Sequence, residues 1–358
     1  MESESDLGQI VGDRYLLLDA IGQGGMADVH LARDQRDGRL VALKWLARSK
    51  RAETALRERM KLEAELLAQV KHPNVVQLLD YGVTRDGVPY IVLEALRGET
   101  LHEYLARRGA MSAEEALPLA LELANALDAV HQVGLVHGDV KPHNVFLCGP
   151  LDRPEHVKLI DFGFAQVTRQ ESTNGEATVA GTIEYMAPEQ ILSEPIDPRA
   201  DIYSLGVVLF RWLTGELPFD TGAMLRLFAH HLESKAPPPS WLLEDIHPGL
   251  ETLILACMRK NPDNRYSCMA DLITDLLCII LDLGQVSGAA LISEPDEYWP
   301  HSEQGKRALG ILSSLGASTR TTPVPDENEK SIPMSSGVRA TESGVPSGTA
   351  VDGEIEIV

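Results

Sequence analysis

The chain has few basic residues and no long hydrophobic run. It carries 32 Lys and Arg against 53 Asp and Glu, which gives its 358 residues a formal net charge of −21. This charge disfavours nucleic acid and anionic membranes as partners, because both would be repelled. The start, MESESDLGQI, is polar and acidic, unlike a signal peptide, and the most apolar stretch, DLITDLLCIILDLG (271–284), reads as a buried helix too short to span a bilayer. We therefore expect a cytoplasmic chain with neither nucleic-acid nor membrane partners.

Cysteine is also scarce. The four cysteines are Cys148, Cys257, Cys268 and Cys278, and their spacing fits neither a disulfide framework nor paired metal ligands. We expect all four to be small buried residues in a reducing compartment.

The pattern of apolar residues changes along the chain. From about residue 13 to residue 94, short runs rich in Val, Leu and Ile alternate with Gly and Asp turns, which predicts strands, with one helix at 53–70. The following part, to about residue 291, is mostly helical, and DIYSLGVVLFRWLTG (201–215) is apolar nearly all round, which predicts a buried central helix. Beyond about residue 293, Ser, Thr, Pro, Gly and Glu dominate, and this composition predicts a disordered tail.

A glycine-rich turn, AIGQGGMADVHLA (20–32), separates two of the predicted strands. Gly22, Gly24 and Gly25 let the main chain approach phosphate oxygens closely and offer N–H donors. A plain hairpin turn has the same pattern, so this signal alone decides nothing. VALK (41–44) places Lys44 on the next strand, where its ammonium would neutralise phosphate charge; a lysine on an exposed strand face is the alternative.

Glu63 interrupts an otherwise apolar helix face. It lies seven residues after Leu56 and three after Met60, so the three side chains share that face. A carboxylate on a buried face is costly unless it meets a cation, and Lys44 is the candidate. A half-exposed glutamate at the edge of the face is the alternative.

The loop GLVHGDVKPHNVFL (134–147) and the tripeptide that begins at Asp161 carry the chemistry. Asp139 would accept or orient the proton of an attacking hydroxyl, and Lys141 would offset charge on a transferred phosphoryl group. Asn144 and Asp161 supply oxygen atoms of the kind that Mg²⁺ prefers. Phosphoryl transfer needs this division into positioning, cations and one oriented base.

Taken in order, these motifs resemble the protein-kinase family, and the bacterial Ser/Thr kinases most closely. They are GQGGMADV, VALK, Glu63, HGDVKPHN, DFG, GTIEYMAPEQ (181–190), DIYSLG (201–206) and NPDNR (261–265). The resemblance implies a bilobal protein-kinase fold of the α+β class, with a small β-rich N-lobe and a larger helical C-lobe. The implied parts are an N-terminal extension 1–13, a kinase domain 14–290 divided into lobes 14–95 and 96–290, and a tail 291–358.

The resemblance also implies a role for each site residue. The catalytic residues are Lys44, Glu63, Asp139, Lys141 and Thr182. The ATP-binding residues are Ile21, Gly22, Gln23, Gly24, Gly25, Met26, Ala27, Asp28, Val29, Ala42, Lys44, Leu93, Glu94 and Leu96. The residues that hold Mg²⁺, with Mn²⁺ as an alternative ion, are Asn144 and Asp161.

Further implied roles are structural or concern the acceptor. Glu189 is expected to pair with Arg265, and Asp201 to anchor the catalytic loop. Lys141, and Thr182 within GTIEYMAPE, are typical of kinases that phosphorylate Ser and Thr, so protein substrates are expected.

Two positions depart from the family pattern. Ala27 replaces the third glycine of the phosphate loop, and Gly138 replaces an arginine that, in regulated kinases, grips a phosphate on the activation loop. We therefore predict that activity does not require phosphorylation of that loop. Its hydroxyl residues are Thr168, Ser172, Thr173 and Thr178.

Two alternatives to a protein kinase stay open. The HGD form also occurs in antibiotic and choline phosphotransferases, which act on small molecules, although GTIEYMAPEQ and DIYSLG argue for a protein-substrate platform. A pseudokinase scaffold is the other, although Lys44, Asp139, Asn144 and Asp161 are all present. No sensor segment is recognised after the kinase motifs, so a separate regulatory protein is expected to supply the input.

Overall fold

The computed structural model describes residues 6–150, 156–163, 165–167, 183–219 and 222–284. Thr182, the four hydroxyl residues of the predicted activation loop and the predicted tail lie outside these residues. Of Gln23 only the main chain is described. Within the described part, no helix is both long enough and apolar enough to cross a bilayer.

The first part of the described chain is an antiparallel sheet with one helix packed against it. Its elements are β1 (Ile10–Val11), β2 (Tyr15–Gln23), β3 (Ala27–Asp34), β4 (Leu40–Leu46), α1 (Thr54–Leu67), β5 (Leu78–Val83) and β6 (Pro89–Glu94). The strands lie in the order β1-β2-β3-β4-β6-β5. The predicted strand-rich lobe with a single helix is thus confirmed, and the sheet also takes in β1, from the segment predicted as an extension.

Strand β4 shows how the sheet sets the direction of its side chains. Leu43 and Trp45 pack in the core on one face of the sheet. Leu46 packs with Met60 of α1 on the other face. Because successive strand residues point to opposite faces, Lys44 points to the side that α1 covers.

The second part of the described chain is mainly helical. Its elements are β7 (Gly98–Thr100), α2 (Leu101–Arg108), α3 (Ala113–Gln132), β8 (Leu135–Val136), β9 (Val145–Cys148), β10 (His156–Leu159), β11 (Gln166–Val167), α4 (Pro188–Ile191), α5 (Pro198–Thr214), α6 (Met224–Glu233), α7 (Pro248–Cys257) and α8 (Met269–Asp282). Together the two parts form the bilobal α+β architecture that the motifs implied.

Helix α5 lies at the centre of the larger core, as its apolar sequence predicted. It is buried on all sides from Ala200 to Leu213, apart from Arg211. A Cβ built on Gly206 would lie 2.5 Å from Cys257 Cβ. Glycine at this position therefore allows α5 and α7 to approach closely.

The expectation that all four cysteines are buried is wrong for three of them. Cys257 is buried, Cys148 is half-buried, and Cys268 and Cys278 are exposed. Helix α8 buries the face that carries Leu272 and Leu276, and Cys278 falls outside it. All four thiols are free, so the absence of a disulfide framework agrees with their spacing.

The connection that follows α1 joins the two lobes through main-chain hydrogen bonds. The Leu159 N–H donates to the Asn74 carbonyl (2.8 Å), and the Val76 N–H donates to the Leu159 carbonyl (3.0 Å). Leu159 ends β10, two residues before Asp161. These bonds therefore bring Asp161 beside the sheet that carries Lys44.

Candidate active site

Three charged side chains meet where β4, α1 and the end of β10 come together. Lys44 Nζ lies 2.6 Å from Glu63 Oε1 and 3.0 Å from Asp161 Oδ1. Glu63 projects from the buried face of α1, and β4 points Lys44 towards that face. The structure thus brings the predicted Lys44–Glu63 pair together and adds Asp161 as a second partner.

The charges of Lys44 and Asp161 stabilise each other. Burial lowers the pKa of Lys44, but the carboxylates of Asp161 and Glu63 outweigh it and hold that pKa above its usual range. Loss of water contact raises the pKa of Asp161, but the Lys44 ammonium and the Gly163 N–H outweigh this and hold it well below its usual range. Both groups therefore stay ionised at neutral pH.

The Asp161 main chain has an uncommon conformation. Its φ of +62° lies in the left-handed region, which non-glycine residues adopt rarely. The Gly163 N–H donates to Asp161 Oδ1 (3.0 Å). This bond and the Lys44 ammonium together hold the carboxylate in place, as expected where a strained conformation serves a site.

Asp139 is buried in the catalytic loop, and its two carboxylate oxygens differ in their contacts with the described residues. Lys141 Nζ lies 2.7 Å from Asp139 Oδ2, and Asn144 Nδ2 donates to the Asp139 carbonyl (2.9 Å) and to Oδ2 (3.0 Å). Within the described residues, Asp139 Oδ1 has no hydrogen-bond partner. Burial raises the pKa of Asp139, partly offset by Lys141, and a raised pKa suits a group that accepts a proton.

Asp201, from the buried helix α5, holds the catalytic loop by its main chain. Its Oδ2 accepts from the His137 N–H (2.8 Å) and its Oδ1 from the Gly138 N–H (2.8 Å). His131 Nε2 lies 2.8 Å from Oδ2. Burial raises the pKa of Asp201, but its hydrogen bond to His131 and the nearby histidines bring it below the usual range. This is the anchoring contact that the motif implied.

The main-chain conformation at Gly138 favours glycine, in addition to the absence of an arginine charge there. Its φ is +74°, a value that glycine adopts without the penalty of a Cβ. Its carbonyl accepts a hydrogen bond from Gln190 Nε2 (2.8 Å). Nothing in the sequence pointed to Gln190, because its partner is a main-chain oxygen, which leaves no sequence pattern.

The implied structural pair of Glu189 and Arg265 is bidentate. Arg265 Nη1 donates to Glu189 Oε1 (2.6 Å) and Nη2 to Oε2 (2.8 Å). The same guanidinium donates to the carbonyls of Arg199, Arg259 and Lys260. A buried arginine with this many acceptors ties α4 to α5 and to the segment after α7.

The glycine-rich turn lies next to Lys44, because Val29 and Lys44 are paired across β3 and β4. The Gly24 N–H donates to the Ala27 carbonyl (3.0 Å) and so closes the turn. This departs from the expectation that Gly24 offers its N–H to a phosphate. A Cβ built on Gly25 would meet nothing within 4 Å, so open space lies beside the turn.

The predicted adenine-binding residues lie at the junction of the lobes. Leu93 and Glu94 end β6, where Leu93 pairs with Ala42 of β4, and Leu96 is buried just beyond. The Glu94 carboxylate has a task that was not predicted: it lies 2.6 Å from Lys158 Nζ and accepts from the Gln77 N–H (2.8 Å). It therefore links the end of the sheet to β10.

Arg59 of α1 is a further unpredicted contributor. Its Nε donates to the Gly163 carbonyl (2.8 Å), and its Nη1 lies 3.9 Å from Met26 Sδ. Arg59 thus connects α1 to the segment that carries Asp161 and to the glycine-rich turn. A charged residue on an amphipathic helix gives no sign of such a contact in the sequence.

The residues present fit Mg²⁺ and ATP. The Ile160 N–H donates to the Asn144 carbonyl (3.0 Å), which keeps Asn144 beside Asp161, and both side chains offer oxygen ligands. Among the described residues, no three or more His, Cys, Asp or Glu side chains cluster as a metal site. A metal ion held by Asn144 and Asp161 would therefore take further oxygens from phosphate or water, as Mg²⁺ usually does. Asp139 Oδ1, which is buried and has no partner in the part of the chain that the structure describes, is available to a ligand hydroxyl.

Known proteins resemble the chain over the part that holds this site. It is 35% identical over 322 residues to the serine/threonine-protein kinase PknB of Mycolicibacterium smegmatis, covering 88% of this chain and 50% of the relative. It is 38% identical over 266 residues to the serine/threonine-protein kinase PksC of Streptomyces coelicolor, covering 72% and 47%. A probable serine/threonine-protein kinase of Clostridium perfringens is 35% identical over 292 residues, covering 82% and 42%. The chain spans about half the length of the curated relatives it matches.

The family model described as the protein kinase domain matches residues 15–276. That range contains every predicted site residue. The chain belongs to the protein kinase family.

Proposed function

We propose that the chain is a Ser/Thr protein kinase that transfers the γ-phosphoryl group of Mg·ATP to Ser and Thr hydroxyls of proteins. The observation that carries the proposal is the contact of Lys44 with both Glu63 and Asp161. It puts a cation for phosphate and an ionised oxygen ligand for Mg²⁺ side by side. Phosphoryl transfer relies on this kind of positioning and charge stabilisation.

Each side chain of the site has a task in this reaction. Mg²⁺ held by Asn144 and Asp161 would neutralise phosphate charge. Lys44 contacts the phosphates, and Asn144 and Asp161 supply metal ligands. Asp139 orients the acceptor hydroxyl and receives its proton at Oδ1, while Lys141 stabilises charge on the transferred group. The serine/threonine-protein kinase names of the relatives support a protein acceptor.

Transfer of label from γ-labelled ATP tests the proposal directly. The acceptors are generic proteins in one set of reactions and aminoglycosides in another. We expect label on Ser and Thr of proteins, and a loss of about 10²–10⁴-fold in Asp139→Asn, because the oriented base is removed. Nucleotide affinity of Asp139→Asn serves as the control and should be unchanged.

The other outcomes separate the alternatives. Label on aminoglycosides but not on proteins would favour a small-molecule phosphotransferase. Retained nucleotide binding with no transfer to either class would favour a pseudokinase scaffold.

We also propose that the loop is a non-RD, HGD-type loop and that activity does not depend on activation-loop phosphorylation. Gly138 offers no charge to a loop phosphate, while Asp201 and Gln190 already bind its N–H and carbonyl. We expect alanine at Thr168, Ser172, Thr173 and Thr178 together to leave kcat within a factor of about three of wild type, or ~0.7 kcal/mol. A fall to the level of Asp139→Asn in a folded quadruple variant would contradict this.

We further propose that a separate regulatory protein controls the kinase activity. We also propose that the chain and its protein substrates are in the cytoplasm. The acidic net charge of −21 argues against nucleic acid and anionic membrane as partners. Quantitative phosphoproteomics of the native organism, comparing wild type with Asp139→Asn, would identify the substrates. Cell fractionation would locate the protein.

A further inference from the structure

Gln190 bridges two segments that lie far apart in the sequence. Its Nε2 donates to the Gly138 carbonyl (2.8 Å) in the catalytic loop. Its Oε1 accepts from the Ala187 N–H (3.0 Å), the residue before α4. One side chain thus uses its donor on the loop that holds Asp139 and its acceptor on the segment before α4.

The Gly138 carbonyl is directly connected to Asp139. This carbonyl and the Asp139 N–H belong to one rigid peptide group, so fixing the oxygen fixes the plane from which Asp139 begins. The N–H of that group donates to His137 Nδ1 (3.3 Å), and the Gly138 N–H donates to Asp201 (2.8 Å). Gly138 has no side chain and a φ of +74°. Its main chain is therefore held by these hydrogen bonds and not by the packing of a side chain.

We propose that Gln190 is a positioning residue for Asp139, and that it couples the main chain of the catalytic loop to the segment Ile183–Ala187. The inference rests on the proposed kinase function, for which Asp139 is the base. Gln190 does not touch the reacting atoms. It acts by holding the peptide group that precedes Asp139, and therefore the direction in which Oδ1 points.

A simpler role for Gln190 is the capping of α4. Gln190 is the third residue of that helix, and its bond to the Ala187 N–H is half of a capping box. Glutamate serves a capping box as well as glutamine does, since only an acceptor is needed. An ionised carboxylate, however, has no hydrogen to donate to the Gly138 carbonyl. Gln190→Glu therefore keeps the cap and removes the bond to the catalytic loop.

The experiment compares kcat for protein phosphorylation in wild type and Gln190→Glu from pH 8 to pH 5. At pH 8 we expect kcat of the variant to be about tenfold lower, the effect of one lost hydrogen bond to the loop. Protonation gives the introduced carboxyl group a donor again, and its half-buried place facing a carbonyl raises its pKa. The ratio of wild-type to variant kcat should therefore fall as the pH falls.

Several controls ensure that the ratio of wild-type to variant kcat reports on the residue at position 190. The titratable groups around the loop are His131, His137, Asp139, Lys141, Glu189 and Asp201, and all of them are present in both proteins. KM for ATP and the melting temperature should change little, because the ATP-binding residues and the cap are intact. The matched control is Gln69→Glu: Gln69 is exposed and donates to the Glu65 carbonyl at the end of α1 (3.1 Å). We expect it to match wild type at every pH.

Amide hydrogen exchange of peptides covering 135–147 tests the positioning without relying on catalysis. At pH 7.5 these amides should exchange faster in Gln190→Glu than in wild type or Gln69→Glu. Any of three results for Gln190→Glu would overturn the inference: a kcat equal to that of wild type, a kcat ratio that stays constant across pH, or unchanged amide exchange in the loop. If wild type transfers no phosphate, the proposed function fails, and the exchange data still decide whether Gln190 holds the loop.

Discussion

Gly138 occupies a main-chain conformation that a side chain would destabilise. Its φ of +74° puts the Cβ of an L-residue close to the following carbonyl, at a cost of about 1–2 kcal/mol. We expect Gly138→Ala to lower the free energy of unfolding by that amount and the melting temperature by about 2–8 °C. Urea and thermal unfolding at pH 7.5 measure both quantities.

Gly25→Ala is the matched control for this prediction. Gly25 is not in the left-handed region, and its added Cβ would meet nothing within 4 Å. Its free energy of unfolding should change by less than about 0.5 kcal/mol. Equal losses at the two positions would show that the conformation of Gly138 is not the cause.

At the scale of secondary-structure elements, Arg265 links helices α4 and α5 to the segment after α7 through one guanidinium. Its planar fork makes two bonds to Glu189 (2.6 and 2.8 Å) and reaches main-chain carbonyls around it. Lysine cannot reproduce this geometry and leaves buried acceptors without donors. We expect Arg265→Lys to lower the free energy of unfolding by about 3 kcal/mol, measured by urea unfolding.

An exposed arginine provides the comparison. Arg33 lies on the exposed side of β3, and Arg33→Lys should leave stability within about 0.5 kcal/mol of wild type. A similar stability in both variants would mean that the charge of Arg265 matters and its shape does not.

Helix α6 carries a histidine that makes stability depend on pH. His231 is fully buried, with Nδ1 2.9 Å from the Tyr203 hydroxyl. Burial, with a smaller contribution from Lys260, lowers its pKa from 6.5 to about 3. The unfolded chain therefore binds a proton below pH 6.5 that the folded protein does not bind until about pH 3. Stability from this group is complete above pH 6.5 and is lost as the pH falls towards 3.

The expected loss from His231 is about 2 kcal/mol between pH 7.5 and pH 5. His231→Gln removes the titration and keeps a polar partner for Tyr203. Urea unfolding of both proteins at the two pH values should therefore show a loss in wild type that is about 2 kcal/mol larger than in the variant. Parallel pH profiles would rule out His231 as the source.

At the scale of the whole molecule, the described residues up to 284 contain the hydrophobic cores of both lobes and every site residue that the structure places. We expect a chain of residues 6–284 to unfold in one cooperative transition and to bind a non-hydrolysable ATP analogue with a Kd within a factor of about two of the full chain, or ~0.4 kcal/mol. Calorimetric titration of both chains measures this. A large loss of affinity would mean that residues outside 6–284 take part in binding.

Much of the site could be predicted because its contacts join residues with sequence patterns of their own. VALK places Lys44 on the strand after the glycine-rich turn, and a carboxylate on an apolar helix face predicts that Glu63 meets a cation. The order of the motifs then adds Asp201, whose partners are main-chain N–H groups of the catalytic loop. These contacts depend on periodicity and motif order, and both are visible in one sequence.

Other features could not be predicted, for physical reasons. The bond from Gln190 to the Gly138 carbonyl joins a side chain to a main-chain atom, which has no sequence signature. The contact of Lys44 with Asp161 depends on how the lobes meet. Cys278 is a different case: Asp271, Asp275 and Asp282 recur at helical spacing on the face of α8 that also carries Cys278, so its exposure was visible in the sequence.

The contact between Lys44 and Asp161 has a consequence for proton exchange with the solvent. Since the ammonium holds the pKa of Asp161 well below its usual range, the carboxylate carries no proton to lose when a divalent cation arrives. Metal binding at this carboxylate would therefore release no proton from Asp161. The Asp161 carboxylate should therefore add no pH dependence to cation affinity near neutrality, whatever small pH changes the cell undergoes.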